Sequence, residues 1–315
     1  MAESESKVFK PRPKHLLPVV LGLLATGALA YPISIVGAPQ AQVTPFVGDT
    51  VTSASLNAVV FVFALGASAT VMFLLIRRGR MRFIRRLVKG ALVLVSFAVA
   101  FWYSTSILAS VVDLSTDLWT IVSLLLSLGI AAAIGLTIFG KGQIRQLSGV
   151  TALGALTGVF LGYSIGPVTA LVLVGALVVY DIVAVFRGPV GALAKAVEAG
   201  DLPGAMYTYG ELTIGMGDLV FYSLVATTAM IFFGLFSFFA TAIGILAGSY
   251  LGFRALSKYE MFPGLPFSLL LGVAGMLLTA AVSGTLVLYT RRGVNGNDNL
   301  REYSRRGVFC PPEPS

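Results

Sequence analysis

Nine long apolar blocks run through the sequence, and each is about as long as a helix that crosses a lipid bilayer. Membrane-spanning β-strands would instead show short segments of alternating polarity, whereas a helix satisfies all backbone polar groups within its own span. We therefore predict an all-α, polytopic membrane protein with about nine transmembrane helices. The blocks are 15–36, 55–76, 88–110, 118–139, 149–165, 167–186, 212–234, 237–256 and 263–289.

The remaining composition excludes several classes of protein. Of the 315 residues, 57% are hydrophobic and 11% are charged, which separates the chain from soluble domains. Cys310 is the only cysteine and His15 the only histidine, so we expect no intrachain disulfide, no metal site and no other cofactor. The net charge is +8, but the bases flank apolar blocks. This pattern is typical of membrane topology, and we predict no nucleic-acid partner.

The distribution of bases predicts the orientation of the chain. The connector around 77–89 holds the densest run of bases, whereas the connectors 37–54 and 111–117 contain acids and no bases. We therefore place 77–89 and the amino terminus in the cytoplasm. Nine spans then put the carboxyl terminus outside, although the tail is rich in arginine. The bases of the connector are Arg77, Arg78, Arg80, Arg82, Arg85, Arg86 and Lys89.

The chain is predicted to form one membrane domain with short polar ends. Residues 1–14 form a cytoplasmic segment, 15–289 the transmembrane domain and 290–315 a polar tail. The first block resembles a signal peptide, but its apolar run continues through Val36, which favours a retained span. The sequence leaves open whether the cytoplasmic loop 187–211 is a linker or moves.

Two carboxylates lie inside predicted spans, Asp181 in the sixth and Asp218 in the seventh. Neither span contains a lysine or arginine to pair with them. A charge at the centre of a span costs about 2.5 to 3.5 kcal/mol, so such a residue indicates a functional site. Asp181 lies roughly 8 Å and Asp218 roughly 9 Å from the predicted cytoplasmic ends of their helices. Because consecutive spans usually pack side by side, the carboxylates are expected to face each other.

Two close carboxylates in apolar surroundings can work as an acid and a base. Both cannot ionise readily, so they share one proton. The ionised member takes a proton from water as it attacks a peptide carbonyl, and the protonated member gives its proton towards the carbonyl oxygen and the leaving nitrogen. The sequence does not say which of Asp181 and Asp218 is the base.

Small residues and prolines near the two acids suggest a place for substrate. Gly215 and Gly217 precede Asp218 and would let a second chain approach, although helix packing is the alternative interpretation. Pro263 and Pro266 lack amide hydrogens, so we predict an extended backbone at Gly264 and Leu265 that binds an unwound substrate. The alternative for this segment is a helix start marked by proline. The predicted substrate contacts are Tyr180, Gly215, Met216, Gly217, Pro263, Gly264 and Leu265.

These motifs resemble the presenilin and signal peptide peptidase family of intramembrane aspartyl proteases, particularly its prokaryotic, presenilin-like members. The resemblance rests on Tyr180-Asp181, on Gly215-Met216-Gly217-Asp218 and on Pro263-Gly264-Leu265. It implies a presenilin-like bundle in a prokaryotic cell membrane, catalysis by both aspartates, and substrates that are transmembrane segments or membrane-bound signal peptides. Gly264 departs from the family's Pro-Ala-Leu motif. The resemblance to prokaryotic relatives implies that the chain acts without other kinds of subunit. The one assembly left open is a homo-oligomer.

Two other functions remain open from the residues. A prepilin peptidase also uses a Gly-x-Gly-Asp motif, but that family has no Pro-x-Leu element on a ninth span. A proton- or sodium-coupled transporter also carries carboxylates and broken helices in its spans. Transporters usually have such features in both duplicated halves, whereas here the two acidic spans and the Pro-x-Leu segment all fall in the carboxyl-terminal half, which argues against a transporter.

Overall fold

Nine long helices hold most of the residues that the computed structural model describes. The structure describes residues 13–37, 43–45, 48–111, 116–187, 206–209, 212–256 and 263–284. A short 3-10 helix at Pro13–Leu16 leads into the first of the nine. The helices are α1 (Leu17–Val36), α2 (Val51–Arg77), α3 (Met81–Val111), α4 (Thr116–Ile138), α5 (Gln143–Ser164), α6 (Pro167–Arg187), α7 (Met216–Phe233), α8 (Leu235–Leu256) and α9 (Leu265–Val282).

The predicted helical membrane fold is confirmed. Within the described ranges, nine segments are long and apolar enough to cross a membrane, and each corresponds to one predicted block. The polar ends 1–14 and 290–315 lie almost wholly outside the described residues, so the predicted division into segments stays a prediction. Of the loop 187–211, only Arg187 and the strand described next are included.

A short β-hairpin precedes the seventh helix, which the sequence analysis did not predict. Strand β1 (Met206–Tyr209) pairs antiparallel with β2 (Leu212–Gly215). The predicted helix start at 212 is therefore wrong, because α7 begins at Met216. Thr213 and Ile214 are β-branched and Gly215 is a poor helix former, so these residues favour a strand. Asp218 consequently lies in the first turn of its helix. The predicted depth of roughly 9 Å was counted along a helix from residue 212, and it therefore does not apply.

The basic connector is also shorter than predicted. Only residues 78–80 separate α2 from α3, and the bases from Arg82 to Lys89 belong to the first turns of α3. Lysine and arginine are good helix formers, and their long side chains can reach the membrane surface from within a helix. The bases from Arg82 to Lys89 can therefore form the first turns of α3 and still place their charges at the membrane surface.

Helix α7 packs closely against α5 through a stripe of glycines. Gly154, Gly158 and Gly162 recur at every fourth position on the face of α5 that contacts α7. A Cβ on Gly158 would lie 2.7 Å from the carbonyl oxygen of Val220, and one on Gly162 would lie 2.6 Å from that of Leu224. Small residues at this spacing let two membrane helices approach at backbone distance. The close packing fixes α7 in the most buried part of the bundle.

Helix α6 lies further out and is held by α2. The two helices pack along each other, and α2 has little buried surface of its own. Asp49, just before α2, caps the start of α6: its carboxylate accepts hydrogen bonds from the amides of Val168 (3.0 Å) and Thr169 (2.7 Å). The Thr169 hydroxyl donates a third bond of 2.8 Å. A Cβ on Gly166 would lie 2.7 Å from Asp49 Oδ1, so glycine is needed for this approach.

Candidate active site

Asp181 lies on α6 and reaches the start of α9. Its Oδ2 accepts a hydrogen bond of 3.3 Å from the backbone amide of Leu265, the first residue of that helix. The first amides of a helix have no partner within the helix and carry partial positive charge, so they bind a carboxylate well. This contact joins the sixth span to the Pro-x-Leu segment.

The backbone of the Pro-x-Leu segment is not extended. Gly264 has φ −83° and ψ −32°, which is the right-handed helical region, and Leu265 begins α9 with Pro266 directly after it. The predicted extended backbone at Gly264 and Leu265 is therefore wrong. The segment is a proline-marked helix start, because proline already has the helical φ and its missing amide hydrogen has no partner to lose there.

Asp218 lies at the beginning of α7, three residues after the N-cap Gly215. Its carboxylate accepts a hydrogen bond from the Gly215 amide, which is the bond that the acidic residue of a capping box makes. Asp218 also lies within electrostatic range of Asp181. The two carboxylates of the membrane spans thus lie on contacting helices within range of each other's charge, and each is bound by an amide at the start of a helix.

The predicted substrate contacts divide into open and packed positions. A Cβ on Gly217 or on Gly264 would meet no described atom within 4 Å, so both positions border open space beside the carboxylates. The side chain of Met216 packs on the core, and the ring of Tyr180 faces Gly66 on α2. The remaining predicted contacts are also close to protein atoms: Pro263 and Leu265 are buried, and a Cβ on Gly215 would lie 3.7 Å from the Asp218 carboxylate.

A chain of hydroxyl groups lies next to Asp218, and the sequence analysis missed it. The Tyr222 hydroxyl donates to Ser268 Oγ at 3.1 Å, and Ser268 Oγ lies 3.0 Å from Ser249 Oγ. Ser268 also donates to the carbonyl oxygen of Gly264 at 3.3 Å. All three side chains are buried, and they join α7, α8 and α9. The sequence feature that could have indicated this chain is the four-residue spacing of Asp218 and Tyr222, which puts both side chains on one face of a helix.

Apart from Asp181 and Asp218, Asp49 is the one acid whose side chain the structure describes, and it does not belong to the site. Asp49 lies at the start of α6, roughly 18 Å along the helix from Asp181. In the ranges that the structure describes, no three His, Cys, Asp or Glu side chains are grouped as metal ligands would be. Any chemistry by the described acids therefore starts from Asp181 and Asp218.

Comparison with known proteins relates the chain to one family. The presenilin family model matches residues 16–201, a range that includes Asp181 and ends before Asp218. Presenilin-B of Dictyostelium discoideum is 27% identical over 188 residues, which is 56% of this chain and 38% of that relative. The chain therefore spans well under half the length of this curated relative.

Solved structures share the fold. Two crystal forms, C222 and P2, of a presenilin family intramembrane aspartate protease each superpose with a TM-score of 0.59. Their sequence identities are 21% and 22%, and the matches cover 84% and 88% of this chain and 97% and 100% of those chains. The likeness in structure thus extends over most of this chain. Because the family model matches more than half of its residues, this chain belongs to the presenilin family.

Proposed function

We propose that this protein is an intramembrane aspartyl protease that hydrolyses peptide bonds of transmembrane segments or membrane-bound signal peptides. The observation that carries the proposal is that Asp181 on α6 and Asp218 on α7, both within predicted membrane spans, lie on contacting helices within electrostatic range of each other. Family membership and the shared fold support the same activity.

The proposed reaction uses the two carboxylates with one shared proton. The ionised aspartate takes a proton from water while the water oxygen bonds to the peptide carbonyl carbon. The protonated aspartate gives its proton to the carbonyl oxygen, and a tetrahedral diol forms. The first aspartate then gives its proton to the leaving nitrogen, the carbon–nitrogen bond breaks, and a hydroxyl of the diol returns its proton to the second aspartate, which restores the starting state of the pair. The protons belong to Asp181 and Asp218 jointly, so the roles of base and acid are left open.

The Leu265 amide supports this chemistry by holding Asp181. A charge-assisted hydrogen bond fixes the direction of the carboxylate, and it is worth more than a neutral one. On this proposal Leu265 positions a catalytic residue through its backbone, and Pro263 and Pro266 define where the helix begins. This replaces the prediction that the Leu265 amide binds substrate directly, because that amide already has a partner.

Substrate is proposed to bind where open space meets extended backbone. Gly217 and Gly264 border the space beside the carboxylates, and β2 runs directly into α7 at Gly215. A helical substrate must unwind before water can reach its peptide bonds, and its freed backbone groups then need partners within the bilayer. An edge of the β1–β2 hairpin can supply them by strand addition. Tyr180 directly precedes Asp181, and Met216 lies two residues before Asp218; these two residues complete the proposed substrate contacts.

Topology and assembly belong to the same proposal. We place the amino terminus in the cytoplasm of a prokaryotic cell and the carboxyl terminus outside, because of the basic residues at the start of α3. The proposed segments are 1–14, 15–289 and 290–315. The catalytic pair needs one chain only, so a homo-oligomer is not required for the reaction.

The decisive experiment is a cleavage assay with the pure protein. The protein is purified in detergent, incubated with several single-span peptides, and the fragments are identified by mass spectrometry. Cleavage within the apolar part of a peptide supports the proposal, provided that a variant lacking both aspartates leaves the peptide intact. If the folded protein cleaved none of the peptides but moved protons or sodium across liposomes, the transporter would be the correct function. Cleavage restricted to basic leader peptides at the membrane surface would favour the prepilin-peptidase alternative.

A further inference from the structure

A long apolar groove lies on the outside of the bundle, away from the aspartates. Its volume is about 1470 Å³, which exceeds the usual ~300 to 1,000 Å³ of a small-molecule site. We name it the α3–α4 groove, because it is lined by α3 from Lys89 to Phe97, by α4 from Leu128 through the connector to Gly140, and by Arg145 of α5. All other side chains along it are apolar except that of Thr137.

Two cationic side chains meet at one end of the α3–α4 groove. Lys89 Nζ lies 5.4 Å from the centroid of the Phe139 ring. Arg145 extends over Gly140, where a Cβ would lie 3.5 Å from its Nη1. Both bases thus border the short connector between α4 and α5. None of the residues that line the groove is acidic, so this end carries an excess of positive charge.

The length of the groove corresponds to one leaflet of a bilayer. Lys89 to Phe97 spans about 12 Å of α3, and Leu128 to Ile138 spans about 15 Å of α4 at the rise of a helix. Half of a typical hydrocarbon core is about 15 Å. The groove therefore extends from a basic end at the membrane surface to the middle of the bilayer. This end is on the side that carries the basic turns of α3.

We propose that the α3–α4 groove binds one anionic phospholipid. Lys89 and Arg145 bind the phosphate headgroup, and an acyl chain lies against Val93, Phe97 and Leu128. The charge at one end and the apolar lining along the rest match the two parts of such a lipid. Basic pockets between membrane helices on the cytoplasmic side bind anionic headgroups in this way. The alternative role of the two bases is to stabilise the carboxyl end of α4, where helix carbonyls attract cations.

Lipid retention by the full-length protein tests this inference independently of proteolysis. The protein in mild detergent is incubated with equal amounts of phosphatidylglycerol and phosphatidylcholine that have the same acyl chains, and bound lipids are counted by native mass spectrometry. We expect about a thirtyfold preference for phosphatidylglycerol, since each base near a surface strengthens anionic-lipid binding about fivefold. The double variant Lys89→Gln/Arg145→Gln should lose that preference.

A matched variant separates a specific site from general attraction between charges. Arg86→Gln/Lys141→Gln removes the same charge from exposed positions on the same side that do not line the groove. This control should keep the preference for phosphatidylglycerol. An equal loss in both double variants would mean that overall charge attracts the lipid, and the proposal would then be wrong. Retained preference in Lys89→Gln/Arg145→Gln would also overturn it.

A third variant tests the apolar part of the groove. Ala132 is exposed on the groove wall, so Ala132→Phe should block the acyl chain while both bases and the fold remain. We expect bound phosphatidylglycerol to fall at least tenfold, with an unchanged helical circular dichroism spectrum. Unchanged retention would refute an acyl-chain site. If the variant instead abolished a dimer of the wild-type protein while lipid retention stayed the same, the groove would be an interface between copies.

Discussion

The backbone amide of Leu265 donates a hydrogen bond to Asp181 Oδ2, although the two residues are 84 positions apart in the chain. The bond links the helix that carries one aspartate to the proline-marked start of α9. Asp218 has a different partner, the backbone amide of Gly215. Each carboxylate therefore has its own helix start as a partner, and a Cβ on Gly217 or on Gly264 beside these helix starts would meet no described atom within 4 Å.

Removing either aspartate should abolish cleavage and leave the protein folded. Asp181→Ala and Asp218→Ala each remove one member of an acid–base pair, and loss of a charge from a span does not impair insertion. Activity is measured on a single-span peptide by mass spectrometry, and folding by thermal unfolding. More than about a tenth of wild-type activity in either variant, a loss of only ~1.4 kcal/mol in transition-state stabilisation, would contradict the paired mechanism.

Leu265→Pro should reduce the turnover number by about ten- to a hundredfold, because it removes the amide that holds Asp181. A hydrogen bond to a charged group contributes about 1.5 to 3 kcal/mol. Proline is acceptable at the first position of a helix, so α9 should still form. Leu265→Met keeps the amide and most of the buried side-chain volume, and it serves as the matched control. Equal activities of the two variants on one substrate would show that the amide has no part in catalysis.

Gly264→Ala should leave activity unchanged or raise it slightly. Gly264 has a negative φ, and a Cβ there meets no described atom within 4 Å. Alanine should raise the free energy of unfolding by about 0.4 to 1 kcal/mol, since it restricts the unfolded chain. Thermal unfolding and the peptide assay measure the two effects. Strong loss of activity at normal stability would mean that substrate needs the space of the missing side chain.

Asp49→Ala should lower stability and weaken the attachment of α6 to the loop before α2. The change removes three hydrogen bonds to the start of α6, and loss of a capping side chain costs about 0.5 to 2 kcal/mol. Asp49→Asn keeps an acceptor oxygen and should recover part of the loss. Thermal unfolding of the wild type and of both variants ranks their stabilities. Equal stability of wild type and Asp49→Ala would show that the cap does not hold α6.

Cys310 can report the side of the membrane on which the tail lies, although it falls outside the described residues. Nine spans with the amino terminus inside put Cys310 outside the cell. A membrane-impermeant maleimide should then label it in intact cells. The reduced state of the thiol is checked with a small permeant maleimide after lysis. Labelling that requires lysis would place the tail in the cytoplasm, as its arginines alone would suggest.

The start of α7 could not be predicted from the sequence. The apolar block runs from Leu212 to Gly234 with Asp218 as its one charged residue, and an apolar run of this kind predicts a span but not where its helix begins. In the structure Leu212–Gly215 pairs with β1, so partners outside the block decide the boundary. The same holds for Leu265, whose amide was predicted to bind substrate and is bonded to Asp181 instead.

Local sequence alone determined the number of spans and identified Asp181 and Asp218, because apolar length and a charge within a span can be recognised in the chain itself. The Asp49 cap, the hydroxyl chain from Tyr222 to Ser249 and the partner of Leu265 were decided only by the tertiary structure. These contacts are hydrogen bonds between residues that lie 19 to 120 positions apart in the chain, and their geometry depends on how closely the helices pack. That packing depends on glycines such as Gly158, whose contact with α7 is visible only after α5 and α7 have come together.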